Sequence, residues 1–151
     1  MAAINTKGIL HRDLKPANIL FNKEDGTLKV RTIDFGIACY ISDRKSLSSK
    51  CGTPGYCDPL VLEGKSFTEK SDVFSLGCVL YYMLAGEHLI PGKKVKEIIL
   101  SNIHMDLDKA LGLQNHKLSN VSHQARDLLK LMLSKSIMRR PTSQKCLDVS
   151  L

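Results

Sequence analysis

Apolar positions along the 151-residue chain change period several times, and each change marks an element. Ile19-Leu20-Phe21 and the run from Leu28 to Ile33 are apolar or alternating, and they flank Asn22-Lys23-Glu24-Asp25-Gly26. Two strand-like runs joined by a turn-forming Asp-Gly predict a β-hairpin. From Ala38 to Lys50 the chain is polar, with Ser42, Ser46, Ser48 and Ser49 and neither period, which predicts a mobile loop. The segment from Ser71 to Leu84 starts with two good N-caps, Ser71 and Asp72, and is then apolar nearly all the way round. A helix with no polar face is predicted to be buried on every side. Val95, Ile98, Ile99 and Ile103 recur at helical spacing, as do Ala125, Leu128, Leu129, Met132 and Leu133 after a Ser122 cap. Both predict amphipathic surface helices, and a last short helix is expected after Pro141, capped by Thr142. The pattern as a whole predicts a mainly α fold with a small β-hairpin region.

Composition narrows the class. An apolar share of 43% over this length is enough for one domain with a sizeable core, which argues against disorder. Cysteines at 39, 51, 57, 78 and 146 form no Cys-x-x-Cys pair, so free thiols in a reducing compartment are expected and zinc has little support. With no secretory pattern at the start, the expected location is the cytoplasm, with the nucleus as the alternative. The run from Val73 to Ala85 is too short for a span of roughly 20 residues, so no membrane association is expected. Net charge is +7, with Lys93, Lys94 and Lys96 together and Arg139 beside Arg140. A solvated basic surface is favoured over a phosphate or nucleic-acid site, because aromatic residues make up only 5% and none alternate with the basic ones.

The chemistry is concentrated in His11-Arg12-Asp13-Leu14-Lys15-Pro16-Ala17-Asn18, followed by Asp34-Phe35-Gly36. By chance this combination would arise on the order of once in ten million chains of this length. The two motifs flank the predicted hairpin, which returns the chain to its start and is expected to bring Asp34 near Asn18. Two oxygen ligands on neighbouring loops suit Mg²⁺.

These residues resemble the catalytic and metal-binding loops of eukaryotic protein kinases. Lys15 with Cys51-Gly52-Thr53-Pro54-Gly55-Tyr56 is similar to the serine/threonine class, with a weaker likeness to its calmodulin-dependent group. The resemblance implies transfer of the γ-phosphate of ATP, with Mg²⁺, to Ser/Thr hydroxyls of a protein substrate. It implies Asp13 as the catalytic aspartate, Lys15 as the cation at the transferring phosphoryl group and Thr53 as a bridge between them. Asn18 and Asp34 would hold metal, and with Lys15 would form the nucleotide contacts of this segment. Arg12 would pair with a phosphorylated residue in the activation segment. Ser49 is the candidate for that residue, modified by an upstream kinase or by autophosphorylation; the alternative is a serine that merely solvates a flexible loop. Asp72 would start the central helix and accept hydrogen bonds from the loop backbone, while His11, Phe35 and Gly36 are structural.

The resemblance spans residues 1–151 as a partial protein kinase domain similar to the C-terminal lobe. Its parts would be a catalytic loop at 11–18, an activation segment at 34–60, a buried central helix at about 72–85 and C-terminal helices within 93–151. A glycine-rich loop and strand lysine do not precede His11, so an absent N-terminal lobe and an apolar face left bare on the central helix are expected. A catalytically inactive fragment or interaction module is the alternative function. Two local departures matter. Where the family has Ala-Pro-Glu this chain has Asp58-Pro59-Leu60, so Arg140 loses its usual partner, leaving Glu63 or water to serve it. Ala17 stands where many kinases that favour basic substrates carry glutamate, so no such preference is expected.

Overall fold

The computed structural model describes residues 1–112 and 115–149, so residues 113, 114, 150 and 151 of the predicted C-terminal helical region lie outside the described part. A short helix α1 (Ala2–Asn5) leads into a two-residue strand β1 (Ile9–Leu10) and then the His11–Asn18 loop. The loop ends in a single 3-10 turn over Pro16–Asn18, with proline at the turn's start, where its missing N–H costs nothing. The predicted hairpin follows as β2 (Ile19–Glu24) and β3 (Thr27–Thr32), joined at Asp25-Gly26. Both turn residues have positive φ, as a two-residue hairpin turn requires. The register pairs Ile19 with Thr32, and the next amide, Ile33 N–H, donates to the Asn18 carbonyl at 3.0 Å.

The segment predicted as a mobile loop contains structure. Strand β4 (Cys39–Tyr40) pairs antiparallel with β1, and helix α2 (Arg44–Leu47) is capped by Asp43, whose carboxylate accepts from Ser46 N–H and from Ser46 Oγ. Elements of two and four residues are too short to impose a visible period on a sequence. The chain then forms α3 (Pro59–Leu62), capped by Asp58.

The central helix α4 (Glu69–Ala85) begins before the expected Ser71. Thr68 is its N-cap, and the Thr68 N–H donates to Ser71 Oγ, which makes Ser71 part of the first turn instead of the cap. Asp72 is freed from capping and reaches elsewhere. The helix ends at Gly86, in the left-handed conformation at φ +71°. Its residues Val73, Phe74, Cys78 and Tyr81 are buried, and the bare face expected on it is confined to its last turns at Tyr82 and Met83. Exposed apolar surface lies instead on the hairpin, at Leu20, Phe21, Leu28 and Val30.

Helices α5 (Val95–Ile103), α6 (Leu107–Leu111) and α7 (His123–Met132) complete the fold. Ser122 caps α7 as predicted, accepting from Ala125 N–H at 3.2 Å. Packing of α7 on α4 is close: a side-chain carbon at Gly77 would lie 2.9 Å from Leu133 Cδ2, so only glycine fits without movement. Leu129 and Leu133 join Phe74, Cys78 and Leu118 in the main core cluster. The expected helix after Pro141 is a 3-10 turn at Lys145–Asp148. No helix among the described residues is long and apolar enough to cross a membrane.

Candidate active site

Tight geometry in the His11–Asn18 loop comes from one carboxylate beneath it. Asp72, near the start of α4, accepts from His11 N–H at 2.8 Å and Arg12 N–H at 2.9 Å. Two successive amides can face one carboxylate because Arg12 adopts φ +68°, a conformation that costs a non-glycine residue about 1–3 kcal/mol unless its surroundings hold it. Burial pushes the Asp72 carboxyl up, against the lowering effect of the two amide donors. His11 is fully buried, and its ring is held at both nitrogens. Asp13 N–H donates to Nδ1 at 3.3 Å, which puts the ring proton on Nε2, 2.9 Å from the Ile33 carbonyl. Phe35 packs on the same ring, with centroids 4.8 Å apart, so His11 links the two motifs mechanically.

Three polar side chains meet above this base. Lys15 Nζ donates to Asp13 Oδ2 at 2.7 Å and to Thr53 Oγ1 at 3.0 Å, and Thr53 Oγ1 donates to Asp13 Oδ1 at 2.7 Å. The triangle is closed, with each hydrogen bond assigned a direction. Burial works to raise the Asp13 carboxyl, but the hydrogen bonds from Lys15 and Thr53 and the charge of Lys15 outweigh it and hold it below its ordinary range. Asn18 Nδ2 donates to the Asp13 carbonyl at 2.8 Å and to Asp13 Oδ2 at 3.3 Å, and neither bond uses Asn18 Oδ1.

Asp34 lies one residue beyond the Ile33–Asn18 backbone bond, so the hairpin does return it to the neighbourhood of Asn18. Its backbone has φ +63°, and its exposed carboxylate accepts, among the described residues, one long bond, from Gly36 N–H at 3.3 Å. An exposed carboxylate and a neighbouring amide oxygen are hard oxygen donors, the chemistry that suits Mg²⁺. Among the described residues no cluster of three or more His, Cys, Asp or Glu could hold a metal by itself, so a cation here would need further ligands.

Gly52 and Asn102 bring Thr53 to this place. Gly52 has φ +93°, and a Cβ there would sit 2.7 Å from the Arg12 carbonyl, which only glycine permits. Asn102 on α5 is fully buried and donates from Nδ2 to the carbonyls of Pro54 at 2.8 Å and Cys57 at 2.7 Å, while its Oδ1 is left without a partner. A polar residue on the buried side of α5, with Val95 and Leu100 exposed, reverses what the amphipathic pattern implies. Sequence reasoning missed Asn102 for that reason.

Arg12 and Arg140 are both buried. Arg12 Nε donates to the Ile37 carbonyl at 2.7 Å, and Nη1 donates to Ser49 Oγ at 2.9 Å and to the Ser46 carbonyl. None of the ion pairs among the described residues includes Arg12. Arg140 instead makes a two-pronged pair with Asp58, Nη1 to Oδ2 at 2.5 Å and Nη2 to Oδ1 at 2.8 Å, with both side chains sealed from water. The expectation that Glu63 or water would serve Arg140 is therefore wrong. Asp58 sits two positions before Leu60, at the cap of α3, and its Oδ1 also accepts from Leu60 N–H at 3.0 Å. The signal was present in Asp58-Pro59, an N-cap followed by proline at the first helical position.

Comparison with known proteins identifies the family. The family model of the protein kinase domain matches residues 1–151. The chain belongs to the protein kinase domain family. It is 36% identical over 127 residues to serine/threonine-protein kinase nekl-2 of Caenorhabditis elegans, covering 84% of this chain and 34% of that kinase. It is 32% identical over 140 residues to calcium-dependent protein kinase 25 of Arabidopsis thaliana, covering 93% of this chain and 26% of that kinase. A probable serine/threonine-protein kinase 2 of Plasmodium falciparum is 36% identical over 103 residues, covering 68% and 20%. The chain thus spans between 20% and 34% of the length of these kinases. Its helices and small antiparallel sheets are those of part of a kinase domain.

Proposed function

We propose that this chain carries the phosphoryl-transfer loop of a serine/threonine protein kinase and acts as part of the helical C-terminal lobe. The closed triangle of Asp13, Lys15 and Thr53 is the observation that carries this reading. A carboxylate held in its ionised form, with a fixed orientation, is suited to orient a substrate hydroxyl and receive its proton. Lys15 is close enough to Asp13 to add positive charge where negative charge gathers on the phosphoryl oxygens, and a site that is organised before reaction loses little to rearrangement. Thr53 ties this group to residues 51–57, so the segment that would meet the substrate is in register with the group that would meet its hydroxyl. Asn18 through Oδ1 and Asp34 would hold Mg²⁺, which when bound with ATP supplies charge neutralisation at the phosphates.

The segment from residue 34 to 60 serves as an activation segment, with Ser49 as its phosphorylation site. Arg12 supports this reading, since its guanidinium donates to Ser49 Oγ and pairs with no carboxylate among the described residues. A phosphate on Ser49, added by another kinase or by the same one, would give the guanidinium a charged, two-pronged partner. The expected location is the cytoplasm or nucleus.

Incubation with Mg-ATP and a serine peptide tests the catalytic reading, with Asp13→Asn as control. Transfer that falls by about 10²–10⁴-fold in the control and stops on chelation of Mg²⁺ is the expected result. Transfer that survives Asp13→Asn would remove Asp13 from the role given to it, and the absence of transfer in both would favour a non-catalytic interaction module.

A further inference from the structure

The floor of the candidate active site continues past Lys15 into an open cavity of 210 Å³, lined by Lys15, Pro16, Ala17, Tyr56, Tyr82 and His88. Its three aromatic residues come from separate stretches of chain. Tyr56 stands three residues after Thr53, Tyr82 lies in the last turn of α4, and His88 lies in the connection beyond that helix. They form one unit: Tyr56 Oη lies 2.8 Å from His88 Nδ1, the Tyr82 ring stacks on His88 with centroids 5.0 Å apart and planes at 28°, and Tyr56 meets His88 edge-on. Burial pushes the Tyr56 hydroxyl up to about 12, so it keeps its proton and can donate it to His88. That bond occupies one end of the imidazole while Tyr82 and His88 remain exposed to solvent.

The lining decides what could enter. It contains no carboxylate, and its one fixed charge is the positive Lys15. A basic side chain would find no carboxylate in the lining, and the nearest one, Asp13, is already engaged by Lys15. A large apolar side chain would cover aromatic surface, gaining both transferred area and ring contacts. Lys15 is shared between the cavity and the Asp13 triangle, so a peptide whose hydroxyl reaches Asp13 has a flanking residue within reach of the cavity. We propose that the cavity of Tyr56, Tyr82 and His88 is a substrate subsite that takes a large aliphatic or aromatic side chain flanking the phosphoacceptor and rejects arginine and lysine. This rests on the reading of Asp13 as the group that meets the substrate hydroxyl.

The full chain is given Mg-ATP and serine peptides in which each flanking position is varied in turn among Phe, Leu, Arg and Glu. One position is expected at which Phe or Leu exceeds Arg by about tenfold in rate. Tyr82→Glu, and independently Ala17→Glu at an exposed position, should each reverse that order by supplying the missing carboxylate. A flat profile, a preference for Arg, or an order unchanged by both variants would overturn the subsite. Fluorescence anisotropy with labelled Phe and Arg peptides gives a readout that needs no turnover. If no peptide is phosphorylated but the Phe peptide binds more tightly and Tyr82→Glu reverses this, the transfer reading fails and the subsite stands. If neither transfer nor binding discriminates, the subsite is wrong.

Discussion

Arg12 and Arg140 are the same side chain in nearly the same degree of burial, and each lies over a phenylalanine ring, Phe67 at 5.5 Å and Phe74 at 5.0 Å. Their polar partners differ. Arg140 is neutralised by Asp58 and also donates to the Ser134 and Lys70 carbonyls. Among the described residues the Arg12 guanidinium donates to neutral oxygens alone, while its backbone N–H meets Asp72, and Asp43 feels its charge only at longer range. A buried cation with its counter-ion joins two parts of a fold. A buried cation without one is a place where negative charge would be welcome, and here the hydroxyl of Ser49 is already in contact with it.

The largest effect should follow from breaking the matched pair. Asp58→Ala leaves Arg140 charged, buried and alone, and should cost about 3–5 kcal/mol in denaturant unfolding. Replacing both partners with apolar residues should recover most of that loss, and a double variant as unstable as the single one would show that the pair is not what matters. Arg12→Met should cost less, below about 2 kcal/mol, because it removes hydrogen bonds to neutral groups along with an uncompensated charge. Equal losses for the two arginines would contradict the contrast between them. Ser49→Asp should add up to about 1 kcal/mol at low ionic strength and lose that gain as salt is raised. No salt-dependent gain would mean that Arg12 is not a receptor for charge at this position.

The pair of Asp13 and Lys15 is intermediate, with side chains 13% and 27% exposed, and its signature should be a pH dependence. The folded Asp13 carboxyl lies below its ordinary value of 3.8, so the unfolded chain binds the proton more readily. Stability from Asp13 is present above the unfolded value and is lost as pH falls through the folded one. Asp13→Asn should flatten the fall in stability in that acid window, and an unchanged slope would show that the loss comes from other groups.

Much of the fold was legible because period and capping are local. The α5 and α7 helices appear where Val95 to Ile103 and the run after Ser122 predict them. The start of α4 was misread because Ser71 and Asp72 are both competent caps, and only the bond from Thr68 N–H to Ser71 Oγ decides between them. Helices α2, α3 and α6 are too short to leave a period, and Asn102 looks like a solvent-facing residue in any pattern that counts polar against apolar. In the candidate site, Asp13, Lys15 and Asn18 could be named together because they stand in the one motif, His11 to Asn18, that resembles the kinase catalytic loop.

What the sequence determined by itself is therefore the set of groups whose partners are a few residues away. Lys15 and Asn18 reach Asp13 across two and five residues, distances short enough for one loop to close. Thr53 and Asp72 were named for this loop through the family resemblance, and tertiary structure brings them to Asp13 and to the amides of His11 and Arg12; the pair of Asp58 with Arg140, 82 residues away, was visible only in the tertiary structure. Those contacts depend on how α4 packs and where the chain returns. A carboxylate two positions from the expected one can serve an arginine equally well once the fold has brought them together.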